Sequence, residues 1–429
     1  MFTACDRSPS ENPFVNAPLL LAYISTALLL QLAGGVGVAV WRHGQRRHTP
    51  AIAATDPGPA IIGAWAGWRD FRVARRQQED AAQSQCSFYL EPVDGAPLRP
   101  FKPGQYLTFS LQIAQSGAAT GSPTRPVTRC YSLSDQPATE CYRITVKRAA
   151  APASQPALPA GVSSTWFHDR VHKGDVVSVK APAGQFFIDT DGATPAVLIG
   201  GGIGITPMMS MLRWCVNQQP ERTFHLYYGL RNSQDHAFKE QLEKLAVAHP
   251  RFHLNVVYSQ PRPDDLLGRD YHHTGYVDLE LLQRTLPHGR HQFYVCGPAP
   301  MMESLVPAIA GWGVPTKDIH FEAFGPASVR LPDNGTASRQ AALAVDLEIQ
   351  FRCSGRTLAW TGQDNNLLDF AERNRISVES GCRSGSCGSC DTGLVEGTVS
   401  YAHKPDYDVA PGRCLLCVAR PTSAIVLEA

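Results

Sequence analysis

Four cysteines near the C-terminus constrain this chain more than any other feature. Cys382, Cys387, Cys390 and Cys417 are separated by four, two and twenty-six residues. The first three lie in Cys382-Arg383-Ser384-Gly385-Ser386-Cys387-Gly388-Ser389-Cys390. A [2Fe–2S] cluster needs four thiolates around two irons, and a Gly/Ser-rich loop lets the backbone curl closely around inorganic sulfide. A segment built around such a group handles single electrons.

The rival reading is an all-thiolate zinc site. Cys387, Cys390, Cys414 and Cys417 make two C-x2-C pairs, a common zinc arrangement. That reading leaves Cys382 and the Gly/Ser loop without a role. Disulfides are disfavoured if this part of the chain is cytoplasmic. Cys414 is the alternative to Cys417 as fourth ligand. The segment Leu415-Leu416-Cys417-Val418-Ala419-Arg420-Pro421 resembles the closing segment of plant-type ferredoxins, and that resemblance implies Cys417.

The chain has 429 residues, enough for two or three domains. Its net charge of +1 gives no overall field that would argue for nucleic acid as a partner. Half of its twelve cysteines fall after residue 350; the others are scattered singly. This fits a metal module joined to a reduced, intracellular body.

Ala17 to Trp41 carries no charged residue and is long enough to cross about 30 Å of hydrocarbon. It runs into Trp41-Arg42-His43-Gly44-Gln45-Arg46-Arg47-His48. An aromatic followed by arginines marks a cytoplasmic boundary under the positive-inside rule. A cleaved signal peptide would carry its basic residues before the apolar run. The expectation is an extracytoplasmic tail (1–16), a transmembrane helix (17–41), a tether (42–67) and a cytoplasmic body. The protein would be a single-pass resident of the inner membrane in contact with membrane lipid.

From residue 68 to 195 short strands are expected at Phe71–Ala74, Gln85–Glu91, Tyr106–Gln112, Tyr142–Arg148 and Asp175–Ala181, with turn-forming residues between them. Two Pro/Ala/Gly/Ser stretches, Ser116–Pro126 and Ala149–Ala160, read as loops. The spacing suggests an antiparallel barrel. Within it lie Pro103-Gly104-Gln105-Tyr106 and Arg129-Cys130-Tyr131-Ser132-Leu133-Ser134. Here the chain resembles the ferredoxin–NADP reductase superfamily, whose flavin motif is R-x-Y-S-[LT]. The resemblance implies that Tyr131 packs on the isoalloxazine, Ser132 bonds the ring's N5 edge and Arg129 pairs with the pyrophosphate. Gln105, Tyr106, Leu133, Ser134 and Val146 are implied to line the flavin. Gly161-Val162-Ser163-Ser164-Thr165-Trp166-Phe167-His168 resembles the family's phosphate loop. Gly161, Ser163, Ser164 and Thr165 would hold pyrophosphate at a helix N-terminus, with His168 structural. The FMN branch adds an Arg to this loop; none lies between Gly161 and His168, so FAD is expected over FMN.

Residues 196–326 read as an α/β, Rossmann-like NAD(P) domain. The run Ala196-Val197-Leu198-Ile199-Gly200-Gly201-Gly202-Ile203-Gly204-Ile205-Thr206-Pro207 is a buried strand entering a Gly-rich turn and then a helix, the geometry of a pyrophosphate site. A glycine run alone is weak; G-G-x-G-x-T-P resembles the superfamily's nucleotide loop. That implicates Gly201, Gly202, Gly204, Thr206 and Pro207. Alternating elements follow at Thr223–Gly229, Gln234–Ala248, His253–Tyr258, Leu279–Leu286 and Gln292–Cys296, giving a parallel sheet. By resemblance Cys296-Gly297-Pro298 lies beside the nicotinamide. Ile319-His320-Phe321-Glu322-Ala323-Phe324 resembles the closing segment of flavohaemoglobin reductase modules, in which an aromatic shields the flavin; Phe324 is the candidate, with Glu322 nearby. Tyr131, Ser132, Cys296, Glu322 and Phe324 form the expected catalytic set. Arg231, with Asn232 and Ser233, could hold a 2′-phosphate, whereas Asp235 would oppose one; the reading leans to NADH over NADPH.

A polar linker (327–343) precedes a module (344–429) that opens with the alternating strand Val345–Phe351. Arg356–Trp360 completes a hairpin and Asn366–Asn374 reads as a short helix. By resemblance this is a β-grasp [2Fe–2S] ferredoxin domain. The order flavin, nucleotide, ferredoxin resembles the phthalate dioxygenase reductase family, and the anchor departs from it. The implied activity is NAD(P)H-dependent electron transfer, by hydride to FAD and single electrons through the cluster, to an acceptor protein such as a membrane oxygenase or desaturase. Two alternatives stand beside it: the electron-input subunit of a membrane quinone-linked complex, and a zinc-stapled membrane scaffold with a degenerate reductase fold.

Overall fold

The computed structural model describes residues 65, 67–113, 125–138, 140–150, 160–324, 347–383, 385, 387–401, 405 and 407–429. The expected membrane segment (17–41), its tether apart from the last few residues, and the linker (327–343) lie outside the described residues. Among the described residues no helix is long and apolar enough to cross a membrane.

The first module is a six-stranded antiparallel sheet. It comprises β1 (Arg69–Gln78), β2 (Gln85–Pro92), β3 (Tyr106–Ile113), β4 (Arg125–Ser132), β5 (Tyr142–Lys147) and β6 (Val176–Val179), with helix α1 (Val162–Arg170) before β6. The order is β4-β3-β6-β1-β2-β5. A bridge between Leu133 and Ile144 joins the outer strands and closes the barrel. Phe71, Phe88, Leu107, Phe109, Ile144 and Val146 fill it. Helix α1 plugs one end: the Phe167 ring meets Phe88, Phe109 and Tyr131 edge-on at 5.2, 5.4 and 5.0 Å. His168 Nε2 contacts the Val146 carbonyl at 2.9 Å, the structural role expected of it. Strand β4 is the addition to the five expected strands. Its Arg-Pro-Val-Thr-Arg start lacks a β-like alternation, and Pro126 is tolerated because β4 pairs along its length with β3 alone.

The second module contains β7 (Ala196–Gly201), α2 (Ile205–Gln218), β8 (Phe224–Leu230), α3 (Lys239–Ala248), β9 (Phe252–Tyr258), β10 (His273–Thr274), α4 (Leu279–Thr285), β11 (Gln292–Gly297), α5 (Ala299–Gly311) and β12 (Ile319–Ala323). All neighbours are parallel in the order β10-β9-β8-β7-β11-β12. Strands β7 and β11 are buried at every position, as central parallel strands are. The chain reverses direction across the sheet between β7 and β11, where such folds open a crevice. Helix α3 begins five residues later than expected, because the buried Phe238 takes a left-handed φ of 61° and breaks the run.

The third module holds β13 (Leu347–Phe351), β14 (Arg356–Trp360), α6 (Leu367–Arg373), β15 (Asp391–Glu396), β16 (Val399–Tyr401), β17 (Arg413–Leu415), β18 (Ala419–Pro421) and β19 (Ile425–Leu427). Five strands form a mixed sheet, β14-β13-β19-β15-β17, and β16 pairs with β18. Asn366 caps α6 by accepting from the Asp369 amide at 2.8 Å. Leu367, Leu368, Phe370 and Ala371 of the helix share a core with Ile349, Phe351 and Leu427.

Residues 62–429 form one compact unit. Barrel and nucleotide module are joined by Asp135, which pairs with Arg213 of α2 at 2.9 Å and lies 3.5 Å from the buried Arg143. The buried Arg222 donates to the Thr194 and Asp189 carbonyls and to Gln292 Oε1, at 2.7, 2.8 and 2.8 Å. Such a satisfied network holds two layers in one register.

Candidate functional site

Where the three modules meet there is a cavity of about 390 Å³. Barrel residues Tyr106, Arg129, Tyr131 and Ser132 line one side. Thr206, Glu322 and Phe324 of the nucleotide module line another, and Ser380–Arg383 of the cysteine loop completes it. Three distant sequence segments, each singled out from the sequence, therefore face a common space. Strand β4 presents its motif there because β3 registers Tyr106 opposite Ser132 and Leu107 opposite Tyr131. Burial pushes the Tyr131 phenol well up from its ordinary value, leaving an uncharged ring face.

The cavity is chemically unfinished in a way a flavin would complete. The Ser132 and Glu322 side chains adjoin each other, but neither Ser132 Oγ nor Glu322 Oε2 makes a well-formed hydrogen bond, which is costly for buried atoms unless a further group satisfies them. Burial, then the neighbouring Cys382, push the Glu322 carboxyl up to about 8, although part of the residue still opens to the cavity. Phe324, 39% exposed, stands at the rim. At the α1 N-terminus the Ser163 and Thr165 hydroxyls are likewise buried and unpartnered. Ser164 differs from its expected role as a phosphate contact: its Oγ accepts from the Ala149 amide at 3.0 Å and donates to the Gly161 carbonyl at 2.9 Å, so it ties the loop together.

Other expected flavin residues support the cavity without lining it. Gln105 donates to the Gly184 carbonyl at 3.2 Å and accepts from the Lys102 amide at 2.9 Å, fixing the turn before β3. Leu133 and Val146 belong to the barrel core. Ser134 is fully buried, bonded to the Arg143 carbonyl and to Thr145 Oγ1.

A second cavity of about 710 Å³ lies at the C-terminal ends of β7, β8 and β11, lined by Gly201, Gly202, Gly229, Arg231, Asp235, Tyr276, Asp278, Pro298 and Met301. The turn after β7 is packed so closely that a Cβ on Gly204 would stand 2.1 Å from the Cys296 carbonyl oxygen. Gly202 takes φ +54°, which favours glycine. Thr206 donates to the Ile203 carbonyl at 3.0 Å, and Pro207 occupies the first turn of α2, where its missing amide costs nothing. Gly297 sits under Met301. Cys296 departs from its expected place: it is fully buried, lines neither cavity, and burial raises its thiol well above its ordinary value. Lys147 lines both cavities, and no sequence signal marked it.

The four cysteines converge. The Cys382 amide points at Cys387 Sγ (3.2 Å) and the Cys387 amide at Cys382 Sγ (3.3 Å). The Cys417 amide points at Cys390 Sγ, 3.5 Å away. Cys417 in turn neighbours Cys382. Among the described residues no group of three or more His, Cys, Asp or Glu side chains is arranged around one ion position. The thiols adjoin one another in the order Cys387, Cys382, Cys417, Cys390, and four neighbouring thiolates suit a two-iron cluster. Cys414, the alternative ligand, is enclosed in the module's core, where burial pushes its thiol up to about 12.

Comparison with known proteins agrees with this layout. The oxidoreductase NAD-binding domain family matches residues 198–306, and the 2Fe-2S iron-sulfur cluster binding domain family matches 349–422. A flavohemoprotein of Rhizobium meliloti is 39% identical over 264 residues, 62% of each chain. This chain thus spans about 62% of the length of the curated relatives it matches. The flavohem-like FAD/NAD binding domain of nitric oxide dioxygenase from Vibrio cholerae is 31% identical, with 60% of this chain and 99% of that one covered and a TM-score of 0.51. A phthalate dioxygenase reductase structure is 25% identical over 85% of this chain and 98% of that one, at a TM-score of 0.48. FAD, NAD(P)H and a [2Fe–2S] cluster are accordingly its cofactors. The chain belongs to the ferredoxin–NADP reductase-like oxidoreductases, in the company of the flavohaemoprotein reductase modules, with a [2Fe–2S] domain following its NAD-binding domain.

Proposed function

We propose that this protein is a membrane-anchored reductase that takes electrons from NAD(P)H and delivers them singly, through FAD and the [2Fe–2S] cluster, to an acceptor protein such as a membrane oxygenase or desaturase. One observation carries the reading: Cys382 lines the same cavity as Tyr131, Ser132 and Phe324, so the electron exit adjoins the flavin position. When bound, the nicotinamide supplies a hydride, and the flavin and cluster convert that pair into single electrons.

The chain's own residues hold and order these groups. Tyr131 and Phe324 supply ring faces for the isoalloxazine, Ser132 and Glu322 the polar partners of its edge, and Arg129 a cation for its pyrophosphate. Ser163 and Thr165 add hydroxyls at the α1 N-terminus. Gly201, Gly202 and Pro298 give the nucleotide its close approach to β7 and β11. Cys382, Cys387, Cys390 and Cys417 are the cluster ligands. No general acid or base is required of the site.

The uncharged run from Ala17 to Trp41 with its trailing arginines supports the anchor, which would concentrate the reductase beside a membrane partner. The test is a pair of assays on the full chain. Membrane fractionation should recover the protein with the membrane, and removal of residues 17–41 should release it without loss of NADH oxidation. Cytochrome c, a one-electron acceptor, should be reduced by the wild type and not by Cys387→Ala, while ferricyanide reduction, drawn from the flavin, persists. A soluble full chain would sink the anchor; unimpaired cytochrome c reduction by Cys387→Ala would sink the exit through the cluster.

A further inference from the structure

Two barrel residues outside the flavin set reach the loop that carries the cysteines. Lys180, just after β6, donates from Nζ to the Cys387 carbonyl at 2.8 Å. Its ammonium lies 5.0 Å from the Trp68 ring of the barrel and 5.7 Å from the Tyr407 ring of the ferredoxin module, a cation held between one aromatic from each side. Cys130 occupies the variable position between Arg129 and Tyr131 on β4. Its thiol shares a cavity wall with Cys382 and adjoins the Cys382 and Cys387 side chains. Thr108 Oγ1 is 3.3 Å from Cys130 Sγ. With the Thr108 hydroxyl donating to Cys130, the thiol proton is available to a ligand sulfur.

We propose that Cys130 and Lys180 are positioning residues for the cluster: the Cys130 thiol donates to a ligand sulfur and the Lys180 ammonium to the Cys387 carbonyl, docking the loop on the flavin strand and increasing the cluster's affinity for an electron. A donor and a cation both stabilise the added negative charge of a reduced cluster, and hydrogen bonds to its sulfurs are among the levers that set its potential. Cys130 thus lines the flavin cavity together with Tyr131 and Cys382 and adjoins the cluster ligands from the flavin strand. The inference rests on the reading of Cys382, Cys387, Cys390 and Cys417 as cluster ligands.

Potentiometric titration of the full-length holoprotein, followed by the EPR signal of the reduced cluster, tests it. Cys130→Ala should weaken electron affinity about tenfold, a midpoint about 59 mV lower for a one-electron couple, as expected for the loss of one charge-assisted hydrogen bond. Cys130→Ser, which keeps a donor, should restore most of it. Lys180→Gln should shift the midpoint in the same direction as Cys130→Ala. Cys130→Val carries the same test if the alanine variant fails to hold a cluster. An unchanged midpoint in the donor-less variants overturns the proposal while leaving the cluster assignment standing. Absence of any [2Fe–2S] signal from the wild type overturns both.

Discussion

Arg231 Nε lies 2.7 Å from Asp235 Oδ2 at the edge of the larger cavity, with the carboxylate nearly buried and the guanidinium two-thirds exposed. The pair should bias the choice between NADH and NADPH. A guanidinium already engaged by a carboxylate is a poor partner for a 2′-phosphate, and the carboxylate repels one. NADH should therefore be preferred. Asp235→Asn should raise kcat/KM for NADPH relative to NADH by about tenfold, the worth of one charge-assisted contact. Steady-state kinetics with both nucleotides check this, and an unaltered ratio contradicts it.

The turn after β7 has no room for a side chain. Alanine at Gly204 would press its Cβ against the Cys296 carbonyl, 2.1 Å away. Overpacking of this kind costs about 1–3 kcal/mol, and here it would also part the two strand ends that flank the nucleotide. Gly204→Ala should lower the melting temperature and raise KM for NADH. A variant with wild-type KM would show that the turn does not shape the nucleotide site.

Two buried histidines make the nucleotide module acid-sensitive. Burial pushes His225 down to about 4 and His236 down to about 3 from the ordinary 6.5; both residues are under 5% exposed. The unfolded chain takes up these protons near pH 6.5 and the folded chain resists them. Their stability contribution is thus fully present above pH 6.5 and is lost as the pH falls toward 4 for His225 and toward 3 for His236, about 2 kcal/mol for each by pH 5. Thermal unfolding at pH 7 and pH 5 should show a marked fall. His225→Phe, which cannot titrate, should make that fall smaller. An equal fall in both proteins would contradict the assignment.

Cys417 and Cys414 are separated by two residues but play different parts. All three of Cys390, Cys414 and Cys417 are buried in the module's core, but the Cys417 amide faces Cys390 Sγ and its thiol adjoins those of Cys382 and Cys390, whereas the Cys414 thiol makes no such contact. Cys417→Ala leaves three thiolates where a cluster needs four and should lose most of its iron. Cys414→Ala removes only a buried sulfur and should keep two irons per chain at some cost in stability. Iron analysis of the two variants checks this, and the reverse pattern would reassign the fourth ligand.

Much of the site was legible because it is written in local sequence. The thiol spacing around the Gly/Ser loop, the Gly201–Gly204 turn after an apolar strand and the Arg129–Ser132 motif are short-range requirements of backbone shape. What escaped was set by tertiary contact. Strand β4 has no clear alternation and is defined by its pairing with β3. The late start of α3 follows from Phe238 being buried in a left-handed conformation. Ser164 could have been a phosphate contact on its motif alone; only the fold brings the Ala149 amide to its hydroxyl. Cys296, expected at the nicotinamide, is buried in the core of the nucleotide module, a placement set by the packing of β11 and not by its local sequence. Cys130 and Lys180 meet Cys387 across two modules, a proximity that no spacing in the chain records.

Electrons should pass from nicotinamide to flavin to cluster within this one chain. The most direct measurement is the visible spectrum of the full-length, detergent-purified protein before and after anaerobic addition of NADH. Flavin bands with an iron–sulfur shoulder should be present, both bleaching on addition. Bleaching of the flavin alone, with zinc bound in place of iron, would contradict this path.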